Sequence, residues 1–115
     1  MLLYLMNWKS WLKANKMNNS HLNLLGLAQR AGKCSTGEEI IIRDIKENRA
    51  KLVILANDIG KQTKKRLTDK CTTYEIPVLM ADEAELLSHA IGKHKRVAIA
   101  ILDEGFAKKF QTLLG

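Results

Sequence analysis

Two uninterrupted apolar runs, K-L-V-I-L-A at 51–56 and R-V-A-I-A-I-L at 96–102, set the strongest limit on how this chain folds. Each is short and rich in β-branched or small apolar residues, so each reads as a strand. A strand with alternating polarity can leave one face in water. A strand that is apolar at every position has to be covered on both faces. The rest of the chain must therefore supply two layers of helix.

The intervening residues carry the matching period. Residues 20–31 follow Ser20 as a cap, put Leu22, Leu25 and Ala28 on one face, and close at Gly32. A short strand is expected at 33–35, then a helix from Gly37 to about Asn48. A third helix is expected from about Gly60 to Tyr74, with Asp58 as its cap and Ile59, Thr63, Leu67 and Cys71 as its inner stripe. I-P-V-L-M (76–80) reads as a strand whose only proline, Pro77, sits at its start, where a missing donor is tolerated. Asp82 is placed to cap a short helix to about Ala90, and Glu104–Leu113 closes the chain as a helix. Helices alternating with short apolar strands imply an α/β sandwich around a largely buried sheet, and 115 residues make one domain.

Residues 1–19 stand apart as an N-terminal extension, with the domain expected at 20–115. Leu5, Trp8, Trp11 and Leu12 fall on one helical face, which fits an amphipathic surface helix. Alternatively, translation starts at Met17 and the preceding residues are extra, which makes residues 1–16 dispensable. The opening M-L-L-Y-L-M is too short to span a membrane, and its lysines follow the apolar run where a signal peptide has them in front. No membrane partner is expected, and the cytoplasm is the expected compartment.

Of the net charge of +7, Lys9, Lys13 and Lys16 contribute three, leaving four for the remaining residues. The folded part is only moderately basic, so its cations must cluster to matter. They do. Lys61, Lys64, Lys65, Arg66 and Lys70 crowd the third helix, with Lys61, Lys64 and Lys65 on a face away from the apolar stripe. G-K-H-K-R (92–96) is a second basic stretch leading into the last strand. Either run alone would pass for a solvated face; two near loops point to a polyanion such as RNA. The folded part has few aromatic residues, so base stacking is not its main tool.

Against that background S-T-G-E-E-I-I-I-R (35–43) is odd, because it puts two carboxylates beside a glycine. One reading is local: Ser35 or Thr36 with Glu38 or Glu39 forms a capping box, the acids favour the helix N-terminus, and Glu39 pairs with Arg43 one turn on. The other is functional. Gly37 permits close approach of a ligand's backbone, free N–H groups suit a phosphate, and a carboxylate accepts from a guanine edge. Basic residues would then supply affinity and directional groups would read bases.

Signals for catalysis are weak. The phosphate-loop patterns G-x-x-x-x-G-K-[ST] and G-x-G-x-x-G do not occur. Asp58 and Asp103 follow strands, as in a phospho-receiver, but no further acidic cluster supports a Mg²⁺ site there. Cys34 and Cys71 lack C-x-x-C spacing, and His21, His89 and His94 lack ligand spacing. No cofactor, no metal and no enzyme activity are expected.

The segments N-L-L-G-L-A-Q-R-A-G-K, S-T-G-E-E, R-A-K-L-V-I-L-A-N-D, T-K-K-R-L-T-D-K-C, I-P-V and I-G-K-H-K-R-V-A-I-A-I-L-D-E-G-F-A-K-K together resemble the bacterial YlxQ family. These are small ribosomal-protein-like members of the superfamily of kink-turn-binding ribosomal proteins, the L-seven-Ae group. The resemblance covers residues 20–114. It implies a three-layer α/β/α sandwich with a mixed four-stranded sheet. It also implies an RNA site on the loop before the second helix, that helix's first turns, and the loops after the second strand and before the last. By position the family's glycine is Gly37 and its helix lysine is Arg43. The two loops are Asn57 with Asp58, and Ile91, Gly92, Lys93, His94, Lys95 and Arg96. Where well-studied binders carry asparagine and then glutamate or glutamine, this chain has Glu39 and Ile40.

The expected function is therefore non-catalytic binding of structured, kink-turn-like RNA, with the ribosome as a candidate partner. Its site is Gly37, Glu38, Glu39 and Arg43, backed by Lys33, Lys61, Lys64, Lys65 and the 93–96 loop. The rival is an adaptor of the same fold whose basic surface meets an acidic protein.

Overall fold

The computed structural model describes residues 20–114. A helix across residues 20–30 (α1) leads into β1 (Cys34–Thr36), α2 (Glu38–Lys46), β2 (Leu52–Leu55) and α3 (Lys61–Thr73). Then follow β3 (Val78–Met80), α4 (Ala84–Ala90), β4 (Ala98–Ile101) and α5 (Glu104–Leu114). The strands form one mixed sheet in the order β1-β4-β2-β3, with β2 and β3 parallel and β4 antiparallel to both its neighbours.

The two apolar runs are the two central strands, and every residue of β2 and β4 is buried. Their side chains alternate between two separate cores. Leu52, Ile54, Ile99 and Ile101 pack with Leu24 and Leu25 of α1, Leu87 of α4 and Phe110 of α5. Val53, Leu55, Ala98 and Ala100 pack with Ile41 and Ile45 of α2 and with Leu67 and Cys71 of α3. The fold is thus the α/β/α sandwich expected, with three helices on one face and two on the other.

Helix ends repeat one device. At Gly32, Asn48, Glu75 and Gly92 the chain turns left-handed (φ 72°, 60°, 58° and 70°), and the following N–H returns to a carbonyl five residues back. That closes the last carbonyls of α1, α2, α3 and α4.

Helix starts depart from expectation. Ser35 and Thr36 do not cap α2, because both lie in β1, paired with Ala100 and Ile99. Gly37 holds the N-cap position with no side-chain cap, so the capping box is absent. Asp58 does not cap α3, whose N-cap is Gly60; its Oδ1 accepts from the Ala84 N–H at 2.9 Å, at the start of α4. Asp82 does not cap α4 either. Glu83 is the N-cap, while Asp82 sits in the left-handed region (φ 50°) and pairs with His21.

The expectations for residues 1–19 lie outside the described residues. Deleting residues 1–16 is expected to leave thermal unfolding almost unchanged. A drop of more than about 4 °C, the scale of 1 kcal/mol in a domain of this size, would show that the deleted tryptophans contribute to the fold.

Candidate nucleic-acid interface

Strand register fixes which loops meet. Thr36 pairs with Ile99, Leu55 with Ala98, and Leu55 with Met80. The C-terminal ends of β1, β2 and β3 and the N-terminal end of β4 therefore share one edge of the sheet. Residues 37–39, 57–60, 81–83 and 91–97 gather there, and α2 and α3 both begin there. Free N–H groups at two helix starts give this edge a positive field before any lysine is counted.

The expected site residues divide. Gly37, Glu38, Glu39, Asn57, Asp58, Lys61 and residues 92–96 lie at this edge, with Arg43 one turn into α2 and Lys64 and Lys65 one turn into α3. Lys33 does not belong to it. Its carbonyl accepts from the Leu102 N–H at 2.8 Å, beyond the opposite end of β1. Four residues of extended chain put it about 13 Å from Gly37. Ile91 offers almost no surface to a ligand, because it is 5 % exposed and packs in the core with Leu87 of α4.

The two adjacent carboxylates have different fates. Glu38 forms an ion pair with Arg66 of α3, tying the first turn of α2 to its neighbour. The expected pair between Glu39 and Arg43 does not form. Both are exposed, and among the described residues neither makes an ion pair. Ile40 stands beside them, 46 % exposed, an apolar surface where a polar residue was the family expectation. An acceptor, an apolar patch and a cation thus sit in reach of the close approach that Gly37 allows.

The loops at this edge are braced from within. The Asn57 N–H donates to the Asp82 carbonyl at 2.7 Å, and the Asp82 carboxylate meets the buried His21 ring of α1. Ser88 holds the basic loop: its Oγ accepts from the Arg96 N–H at 2.7 Å and donates to the Arg96 carbonyl at 3.1 Å. Its carbonyl also accepts from the Lys93 N–H at 2.9 Å. On α3, Lys65 faces Asp69 at 3.7 Å, while Lys61 and Lys64 are exposed and unpaired among the described residues.

Sequence reasoning missed Arg66, His21, Asp82 and Ser88 as organisers of the edge. Nothing local marks them, since each acts through a partner distant in sequence. Burial pushes the Cys34 thiol up to about 12 and the Cys71 thiol up to about 11. Neither thiol therefore carries useful thiolate at neutral pH. No described helix is long and apolar enough to cross a membrane.

The profile of a family described as ribosomal protein L7Ae/L30e/S12e/Gadd45 matches residues 19–111. The chain is 45 % identical over 91 residues to a Bacillus subtilis (strain 168) protein named RNA-binding protein YlxQ, covering 79 % of this chain and 91 % of that one. It is 48 % identical over 94 residues to an Enterococcus faecium protein of the same name, covering 81 % and 89 %. A solved structure of a protein of unknown function from Bacillus halodurans superposes with a TM-score of 0.79 at 46 % identity, covering 81 % of this chain and 94 % of that one. The 15.5kD RNA binding protein of Giardia lamblia shares the fold, with a TM-score of 0.69 at 16 % identity over 86 % of this chain and 91 % of that one.

Proposed function

The chain belongs to the ribosomal protein L7Ae/L30e/S12e/Gadd45 family, and on that premise we propose that it is a non-catalytic RNA-binding protein of the cytoplasm that grips structured RNA at one edge of its sheet. Both relatives above carry RNA binding in their names. The RNA is proposed to be kinked, of the kink-turn kind found in ribosomal RNA, and the ribosome is the proposed setting.

One observation carries the reading. The start of α2 has a glycine N-cap with no side-chain cap, and on one helical face an acceptor, Glu39, and a cation, Arg43, that make no ion pair among the described residues. The exposed lysines of α3 begin at the same edge. Arg43 offers a planar fork of donors where the family's lysine offers a point charge, so it can bridge two acceptors of one phosphate or one base. Lys61, Lys64 and Lys65 are flexible point charges on an exposed face, suited to phosphate affinity without base choice.

Changing Lys64 and Lys65 to alanine together is expected to weaken binding to every structured RNA by a similar factor. The slope of log affinity against log salt should fall by about one for each phosphate the variant no longer neutralises. Weakening confined to one RNA class would mean that these lysines read shape. A wild-type protein whose RNA binding has almost no salt slope would favour the adaptor reading. Cross-linking in cells and sequencing the attached RNA would name the partner.

A further inference from the structure

Across the sheet from α2 and α3, the layer of α1, α4 and α5 carries an apolar surface that the RNA edge does not use. Six large apolar side chains are exposed among the described residues, and three of them belong to this layer: Leu27 on α1, Leu86 on α4 and Leu113 on α5. They border two adjoining grooves. One, of about 400 Å³, runs between α1 and α5, with Leu24 and Leu27 on one wall and Lys108, Lys109 and Leu113 on the other. The second, of about 540 Å³, runs between α1 and α4; it shares Leu27 with the first and adds Arg30 and Leu86. Single exposed leucines are ordinary on a protein surface, whereas leucines grouped along a groove mark a surface that another molecule covers. Leu24 and Leu27 lie one turn apart on α1, as do Lys109 and Leu113 on α5, so both walls follow helix axes. A groove of that shape admits a third helix, with apolar anchors at i, i+3 or i+4, and i+7.

The rim carries charge of one sign. No acidic residue precedes Glu38 in the chain, so α1 has none. The only one on α5 is Glu104, in its first turn and outside the groove lining. Arg30, Lys108 and Lys109 are exposed and make no ion pair among the described residues. Residues 1–19 suit this rim poorly, because they carry Lys9, Lys13 and Lys16 and no acid. A second copy packed two-fold through the same face would set these cations against themselves. RNA phosphates would satisfy the lysines and leave the leucines in water. An acidic amphipathic helix satisfies both.

We propose that the groove between α1 and α5 is a protein-docking site for an acidic amphipathic helix of another protein. The helix lays its apolar side chains against Leu24, Leu27 and Leu113, and its carboxylates meet Lys108 and Lys109. The leucines supply affinity, and the lysines select the partner by charge. Because the sheet separates this groove from the start of α2, the site stands apart from the RNA reading.

The probes are two synthetic helical peptides of about 14 residues, close to four turns, sharing one leucine stripe. One has glutamate on its polar face and the other lysine. Each is titrated into the full ¹⁵N-labelled chain, following the amides of Asn23, Leu27, Lys109 and Leu113. The glutamate peptide is expected to shift these amides saturably, and the lysine peptide is expected to bind at least tenfold more weakly. Lys108→Glu with Lys109→Glu should weaken the glutamate peptide about tenfold, as two attractions become repulsions, and should strengthen the lysine peptide. Leu27→Ser should weaken the glutamate peptide about fivefold, the scale of a half-buried leucine. All three side chains are exposed, so both variants are expected to fold. Equal binding of the two peptides, or no shift with either, overturns the proposal. So does structured RNA that displaces the glutamate peptide, since the lysines then serve phosphate. Both tryptophans lie within residues 1–19. A red shift of their emission in Leu27→Ser would therefore give the groove to the chain's own N-terminal segment, and groove shifts that grow with protein concentration alone would give it to a second copy. Either result overturns the external partner.

Discussion

Glu39→Gln is expected to weaken binding to kinked RNA by about 1–3 kcal/mol, the scale for removing a good directional bond to a base. Binding to plain duplex should strengthen slightly in the same variant. The substitution keeps the side chain's shape and one acceptor oxygen, and replaces the charge and the second acceptor with an NH₂ donor. A carboxylate repels phosphate, and it helps only where it meets base-edge donors such as those of a splayed or sheared guanine. The structure sharpens this expectation, because Glu39 is exposed and makes no ion pair among the described residues. Its remaining structural role is its place at the start of the α2 dipole, worth about 0.3–1 kcal/mol. Affinities for both RNAs and the unfolding midpoint of this one variant decide the matter. A lowered midpoint with unchanged discrimination would reduce Glu39 to a helix-end charge.

Glu38 and Glu39 also show how far a sequence can be read. Adjacent in sequence, they look interchangeable, and either could complete a capping box. What separates them is Arg66, twenty-seven positions away from Glu39, which reaches Glu38 only because α2 and α3 pack on the same face of the sheet. Local spacing carried the continuous strands, the alternation of layers and the closing glycine at residue 32, because those depend on near neighbours. Caps were less legible. Asp58 and Asp82 each precede a helix, yet one bonds across to Ala84 and the other turns back to His21. Any aspartate before a helix invites the same cap reading, and only the tertiary fold chooses its partner. Lys33 was misplaced for a related reason. It is four residues from Gly37, but those residues are extended chain, so strand length carried it to the far end of β1.

Gly37→Ala is the second large expected effect, and Gly60→Ala is its control. Both glycines are N-caps at the same edge of the sheet. Gly37 stands at φ 94° and ψ 127°, where side chains rarely go, while Gly60 stands at φ −66° and ψ 151°, ordinary extended backbone. A methyl on Gly37 would meet the nearest atom, Ile40 Cδ1, at 3.7 Å, an ordinary contact, and one on Gly60 would meet nothing within 4 Å. Steric clash therefore contributes at neither position. The difference is torsional, about 1–3 kcal/mol against Gly37→Ala. For Gly60→Ala, the gain from a stiffer unfolded chain and the small loss of a glycine cap nearly cancel. The pairing of Thr36 with Ile99 and the 2.9 Å bond from the Ile41 N–H to the Gly37 carbonyl hold position 37 from both sides. Gly37→Ala is thus expected to keep its geometry and lose stability, with the unfolding midpoint falling by about 4–8 °C per kcal/mol. RNA affinity should fall about tenfold as well, if the methyl stands where the proposed site brings the ligand backbone close. If stability instead stays at the wild-type level while RNA binding collapses, the strain has been relieved by unwinding the start of α2. Stability and RNA affinity both unchanged would show that neither the strained backbone nor close approach at Gly37 matters, and the α2 start would lose its claim as the binding site.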